Sequence, residues 1–315
     1  MTKKTIITVS RRTDIPAYYS DWFRQRLEIG YAFYPNPISQ KPVFVDLSPA
    51  AVKAFVFWTR NPKPLFKHLD YIDERYSKHH YMHFTINGLP PELEKRNPSV
   101  DYAVSSAEFL AKRYGSDYLQ WRFDPIVFSS ISDETFVLKR FQEIAEKMHG
   151  LTKRCYFSFV DLYRKTQRNF KKVSKELNIE FRGVRIEEQI DFTKRLNEIA
   201  SKLNITLYAC AEDQLLDAVP QIEKAHCVDS DIIKSVCSDE NHSNYKFEES
   251  RLGCGCIESK DVGYYDSCPH GCIYCYANMN PEKALENAKI YQKNGFPLDN
   301  EVVPQDRNNQ INLFK

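Results

Sequence analysis

No apolar run in the 315 residues approaches the ~20 needed for a membrane-spanning helix. The start, Met1-Thr-Lys-Lys-Thr-Ile-Ile-Thr-Val9, is charged, but its apolar stretch is too short for a secretory signal. An excess of one charge is also missing. Lys and Arg number 44 against 42 Asp and Glu, a net charge of +2, which argues against bulk electrostatic binding to nucleic acid. These absences predict a cytoplasmic protein with no membrane contact. A spread-out disulfide framework is missing too. Of nine cysteines, Cys155, Cys210, Cys227 and Cys237 are scattered, and the other five fall within residues 254–275. In a reducing compartment such a concentration points to metal binding.

What is present begins with alternation. Short apolar runs at Thr5–Val9, Ala54–Trp58, Tyr81–Ile86, Leu119–Phe123, Tyr156–Val160 and Ile205–Cys210 have the length and β-branched or aromatic content of buried strands. A weaker run lies at Ala225–Val228. Helix signals separate them. Ser132 suits an N-cap, and Phe136, Val137, Phe141, Ile144, Ala145 and Met148 form one face before Gly150. Strand–helix alternation predicts an α/β fold, a (β/α) barrel or partial barrel of about six to eight parallel strands over residues 1–237. A cysteine-rich segment and a helix follow over residues 238–295. That helix has Asn280 as N-cap, Pro281 at its first position and Gly295 as its stop. Residues 296–315 read as a polar tail.

The strand-like runs end in polar residues. Arg11, Arg12 and Asp14 follow the first, Arg60 the second, and Thr85 and Asn87 mark the third. Arg122 and Asp124 lie on the fourth, Ser158 and Asp161 on the fifth, and Glu212 and Asp213 follow the sixth. Parallel barrels keep reactive groups at the C-terminal ends of their strands, so the set predicts a polar pocket there. Singly, each is better read as a residue leaving the core, and the four arginines equally as a salt-bridge layer at the rim; the set together favours the pocket.

The chemistry-bearing motif is Cys268-Pro-His-Gly-Cys272-Ile-Tyr-Cys275-Tyr-Ala-Asn278. Three thiolates at this spacing suit three irons of a [4Fe–4S] cluster, with the fourth iron open. Zinc is the competing metal and would draw on Cys254, Cys256, Cys272 and Cys275, leaving Cys268 over. Cys254 and Cys256 read as ligands of an auxiliary metal site, with Cys237 or His242, or as redox thiols beside the cluster. Cys155 and Cys210 read as small core residues, and Cys227 beside His226 is left open.

With Tyr274 before Cys275, the triplet resembles the cluster loop of radical S-adenosylmethionine (SAM) enzymes. The wider run from Cys254 to Asn278 is similar to a bacterial family of unknown function, domain of unknown function 1848. Ser10–Pro16, Phe57–Pro62 and Trp121–Pro125 resemble its segments too. The resemblance implies a barrel carrying a [4Fe–4S] cluster, SAM bound at the open iron, and an external electron donor. Tyr274 and Asn278 would border the cofactor. In radical SAM enzymes the triplet follows the first strand, whereas here it follows all the strand-like runs, and no Gly-Gly-Glu segment for the SAM amino group is found.

The chain ends Gln310-Ile-Asn-Leu313-Phe314-Lys315, which resembles the peptide that docks bacterial polymerases and repair proteins on the DNA sliding clamp. Such docking would make a nucleic acid the expected substrate, reached by tethering instead of bulk charge. Two other readings stand beside the enzyme: a metal-binding module recruited to the clamp, and a metal-dependent barrel hydrolase built on the carboxylates.

Overall fold

The computed structural model describes residues 4–237, 245–248 and 253–301. Its centre is an eight-stranded sheet, all of it parallel. The strands are β1 (Thr5–Val9), β4 (Val52–Thr59), β5 (His80–Thr85), β6 (Leu119–Ile126), β7 (Arg154–Phe159), β8 (Thr206–Ala209), β9 (Glu223–Lys224) and β10 (Lys260–Asp261). A separate antiparallel hairpin pairs β2 (Tyr31–Pro35) with β3 (Pro42–Asp46).

All six of the stronger apolar runs become strands. They are buried on both faces, as crossover helices require, so Val52 to Phe57 alone carries Val52, Ala54, Phe55, Val56 and Phe57 into the core. The helix Glu134–Met148 buries Val137, Phe141, Ile144, Ala145 and Met148. Phe141 stacks on Trp121 of β6, ring centroids 5.2 Å apart. Its cap is Asp133, not Ser132: the Asp133 side chain accepts from the Phe136 N–H, while Ser132 bonds Ser129 and the Val127 carbonyl. The helix Pro281–Asn294 starts as expected, with Asn280 accepting from the N–H groups of Glu282 and Lys283.

Three features depart from the expected plan. The sheet does not close into a barrel. Its order is β10-β1-β4-β5-β6-β7-β8-β9, so β10 and β9 are edges. Two-residue strands at both ends leave too little ladder to seal the seam. Secondly, β10 lies beyond the apparent last strand in sequence yet pairs in parallel with β1, Ile7 opposite Lys260 and Thr8 opposite Asp261. Thirdly, Phe296 is fully buried among Tyr19, Trp22 and Tyr264, so residue 296 belongs to the core and not to a tail. Among the described residues no helix is long and apolar enough to cross a membrane. The peptide Gln310, Leu313 and Phe314, and His242, lie outside the described residues.

Candidate functional site

Because every strand of the sheet runs the same way, the segments that leave their C-terminal ends share one rim. The cysteine loop is seated on that rim by β10, which ends at Asp261, seven residues before Cys268. Asp261 is buried and accepts four hydrogen bonds: Thr8 Oγ1 (2.9 Å), Ser10 Oγ (2.6 Å), the Arg11 N–H (2.8 Å) and the Gly263 N–H (2.7 Å). It fastens the start of the loop to the end of β1. The fit is tight at Gly263, where a Cβ would stand 1.9 Å from Ser10 Oγ. Gly263→Ala is therefore expected to lower stability by about 1–3 kcal/mol in denaturant titration, and Ser10→Gly in the same chain should restore most of it.

Asp14 holds the middle of the loop. It accepts from the Ala17 N–H (3.0 Å), Thr59 Oγ1 (2.7 Å) and the Arg60 N–H (2.7 Å), and bonds His270 Nε2 at 2.8 Å. His270 lies between Cys268 and Cys272, and its Nδ1 is 3.2 Å from Tyr18 Oη. Backbone pairing completes the seat: the Arg96 N–H donates to the His270 carbonyl at 3.1 Å and the Ile273 N–H to the Leu93 carbonyl at 3.1 Å.

The third anchor is ionic. Arg60 Nη1 lies 2.8 Å from Glu94 Oε1, and Arg60 Nη2 donates to Tyr274 Oη at 2.7 Å. Tyr274 Oη in turn donates to Glu94, and Asn87 Nδ2 reaches Glu94 at 3.3 Å. Burial works against the Arg60 charge, but Glu94, Tyr274 and Cys272 together outweigh it and hold the guanidinium well above its ordinary pKa. Asn278 is buried and donates to the Cys268 carbonyl at 2.7 Å.

Within this seat Cys272 is buried, and Cys268 and Cys275 are partly so. Each thiol lies in the electrostatic reach of at least one other. Burial raises all three; Cys272 is pushed up to about 11. Opposing it are backbone N–H groups, of Ala277 and Asn278 at Cys275 and of His270 at Cys268, and the charge of Arg60 at Cys272 and Cys275. Among the described residues no three His, Cys, Asp or Glu side chains are arranged to hold a metal ion. The donors nonetheless suit a cluster. Its thiolates each take a different iron and so do not converge on one point, and N–H groups and a guanidinium turned to sulfur are what a negative sulfur centre accepts.

The remaining predicted residues divide. Arg122 pairs with Asp124, which also accepts from Ser158 Oγ, and the Asp124 N–H donates to Asn87 Oδ1 at 2.9 Å. Glu212 accepts from the Phe159 N–H at 2.9 Å. Arg11 lies over Trp58 (5.7 Å to the ring centroid) and donates to Ser259 Oγ at 2.9 Å. Arg12 lies over Tyr34 and Tyr265, 4.8 and 5.2 Å from the ring centroids. Asp161 is exposed and accepts from Tyr163 Oη at 3.0 Å. The salt-bridge reading thus holds for Arg60 and Arg122 and reaches Arg12, whose Nε lies 4.0 Å from Asp261 Oδ1, while Arg11 and Arg12 are also braced by aromatic faces.

Cys254 and Cys256 join neither the triplet nor Cys237. Cys256 Sγ accepts from the N–H of Val228 beside Cys227 at 3.4 Å, and Cys227 Sγ lies 3.7 Å from Cys210 Sγ. Cys237 donates instead to the Lys53 carbonyl, at 3.6 Å. Sequence reasoning passed over Glu94, Asp261 and His270. The first two sit in segments too short or too proline-rich for a periodic reading, whereas His270, inside the triplet, was open to notice.

A family model described as a domain of unknown function (DUF1848) matches residues 6–277. No curated protein and no solved structure matches the chain.

Proposed function

The chain belongs to the DUF1848 family, and we propose that it is a radical-SAM-like iron–sulfur enzyme whose cluster is held by Cys268, Cys272 and Cys275. The observation that carries this reading is the place of β10. In chain order the cysteine loop comes last, against the pattern of radical SAM enzymes. In space β10 is the edge strand beside β1, parallel to it, so the loop follows the first strand of the sheet. A circularly permuted order of elements would reconcile this with the resemblance, and the position of β10 beside β1 supports that reading.

A [4Fe–4S] cluster with one open iron would supply one-electron reductive cleavage of the SAM sulfonium when bound. The chain's own residues do the rest. Asp261, Asp14 and Glu94 fix the loop at its start, middle and end through the bonds given above. Arg11 and Arg12, on the same rim, are positioned to take a carboxylate or phosphate. Arg60 and Arg122 already hold carboxylates and shape the wall. The main carboxylates are engaged, Asp14 and Asp261 with four bonds each, which counts against a hydrolase that would need them free for acid–base work. The terminal Gln310, Leu313 and Phe314 peptide would add docking on the sliding clamp and bring a nucleic acid to the site.

Anaerobic reconstitution with iron and sulfide tests the reading. Replacing Cys268, Cys272 and Cys275 together by serine should remove about four irons per chain. SAM should change the electron paramagnetic resonance spectrum of the reduced wild-type protein. Iron content indifferent to these three substitutions, or a spectrum indifferent to SAM, would refute it.

A further inference from the structure

Four of the nine cysteines lie outside the triplet and near one another. Cys210 follows β8 and Cys227 follows β9, while Cys254 and Cys256 precede β10. Cys210 Sγ is 3.7 Å from Cys227 Sγ, Cys256 Sγ accepts from the N–H of Val228 beside Cys227, and Cys254 lies within electrostatic reach of Cys256. All four are at most 8% exposed. They therefore bring the two open edges of the sheet together at one place.

The Cys210, Cys227 and Cys256 thiols are held neutral by one another and by burial, yet cationic and N–H groups already face them. Arg122 Nη1 is 3.1 Å from Cys227 Sγ and Nη2 is 3.9 Å from Cys210 Sγ. The Val228 N–H donates to Cys256 Sγ at 3.4 Å, and Arg11 lies within electrostatic reach of Cys256 and Cys227. The backbone is held as well. The Cys227 carbonyl is bonded by Tyr81 Oη (2.8 Å) and His83 Nε2 (2.7 Å), both on β5. The Ile257 N–H donates to the Val228 carbonyl at 3.1 Å. At Gly255, between the two cysteines, a Cβ would meet the His226 ring at 2.9 Å, so the turn is fitted to its neighbour.

We propose that Cys210, Cys227, Cys254 and Cys256 form a second sulfur site that takes a thiophilic metal centre and staples the open seam between β9 and β10. A redox dithiol needs two sulfurs; here four lie near one another across the seam, and polar donors face three of them. Sulfurs about 2.3 Å from a central tetrahedral ion lie about 3.8 Å apart, and the Cys210–Cys227 pair is already at 3.7 Å. Among the described residues no three of these side chains are yet gathered about one point, so the others must close in on loading. Loading a metal displaces the thiol protons and draws in the irregular segment that carries Cys254 and Cys256. Four thiolates around a divalent ion have a net charge of about −2, which Arg122 and Arg11 face. The site is distinct from the triplet and does not depend on the reading given to it.

The experiment uses the full chain with Cys268, Cys272 and Cys275 replaced by serine, so only the second site is read. After anaerobic loading with zinc, or with iron and sulfide, we expect about one zinc or one cluster's iron per chain. Adding Cys210→Ser, Cys227→Ser, Cys254→Ser and Cys256→Ser should abolish that metal. Cobalt loading should give the thiolate-to-metal bands of a tetrahedral sulfur site if a single ion is held. A wild-type measurement guards against misfolded variants: Cys210 and Cys227 should resist alkylation in the loaded protein and become reactive after chelation. Metal content indifferent to the four substitutions, or a Cys210–Cys227 disulfide as the stable state of the anaerobic protein, overturns the proposal. The failure of the triplet to bind iron would leave this outcome unchanged.

Discussion

Asp14→Ala is expected to lower the unfolding free energy by about 3–5 kcal/mol and to release the cysteine loop from the rim. The size follows from what the carboxylate does. It is buried, and it holds donors from three segments: Ala17, the Thr59–Arg60 turn, and His270. Removing the acceptor leaves a hydroxyl, backbone N–H groups and a ring nitrogen facing an empty space, and each unsatisfied group costs about 1–3 kcal/mol. Relaxation keeps the sum below simple addition. Asp14→Asn keeps one acceptor oxygen and should lose less. Denaturant titration gives the energy. Alkylation of Cys272 in the folded protein gives the local effect, because that thiol is now buried. A variant with unchanged stability, and with Cys272 as slow to react as in the wild type, would show that Asp14 does not anchor the loop.

The fold was legible where apolar runs were long. The runs at Ala54–Trp58 and Leu119–Phe123 could hardly be anything but buried strands, and their parallel pairing follows from the helices between them. The edges were harder to read for the opposite reason. Lys260-Asp261 is a two-residue strand of charged residues with no apolar pattern, and the weaker run at Ala225–Val228 begins just after the strand it marked, Glu223-Lys224. What makes Lys260-Asp261 a strand is tertiary: Asp261 finds four donors at the end of β1. The β2–β3 hairpin was not anticipated; prolines are uncommon in strands, yet Pro35 and Pro42 sit opposite each other at its end. At the site, the triplet was plain from spacing alone, but its partners were not. Glu94 and Asp14 are ordinary acids in sequence, and only the folded chain brings them to Tyr274 and His270. Cys254 and Cys256 show the same limit. Proximity in sequence tied them to the triplet, whereas the fold ties them to Cys227 and Cys210.

Glu94→Ala is expected to cost about 3–5 kcal/mol, because it strands the buried Arg60 guanidinium without its carboxylate. The joint replacement Arg60→Met with Glu94→Leu should cost less than Glu94→Ala alone, since no charge is then left unpaired. The two variants separate stability from chemistry. Arg60 also acts on sulfur, its charge opposing the burial that pushes Cys272 up to about 11. Removing Arg60 raises the Cys272 thiol and removing Glu94 lowers it; Arg60 acts the more strongly, so alkylation of that thiol in the double variant should still need a higher pH than in the wild type. The sign for stability runs with it. A thiol raised from 9.0 to about 11 in the folded chain contributes stability below pH 9 that is lost as pH climbs towards 11. In the double variant that loss should begin from the same 9.0 and end at higher pH. An alkylation profile that does not move would show that Arg60 serves Glu94 and Tyr274 alone. A profile that moves to higher pH, with stability largely kept, identifies Arg60 as the charge that readies the cysteine loop to give up its protons to a metal.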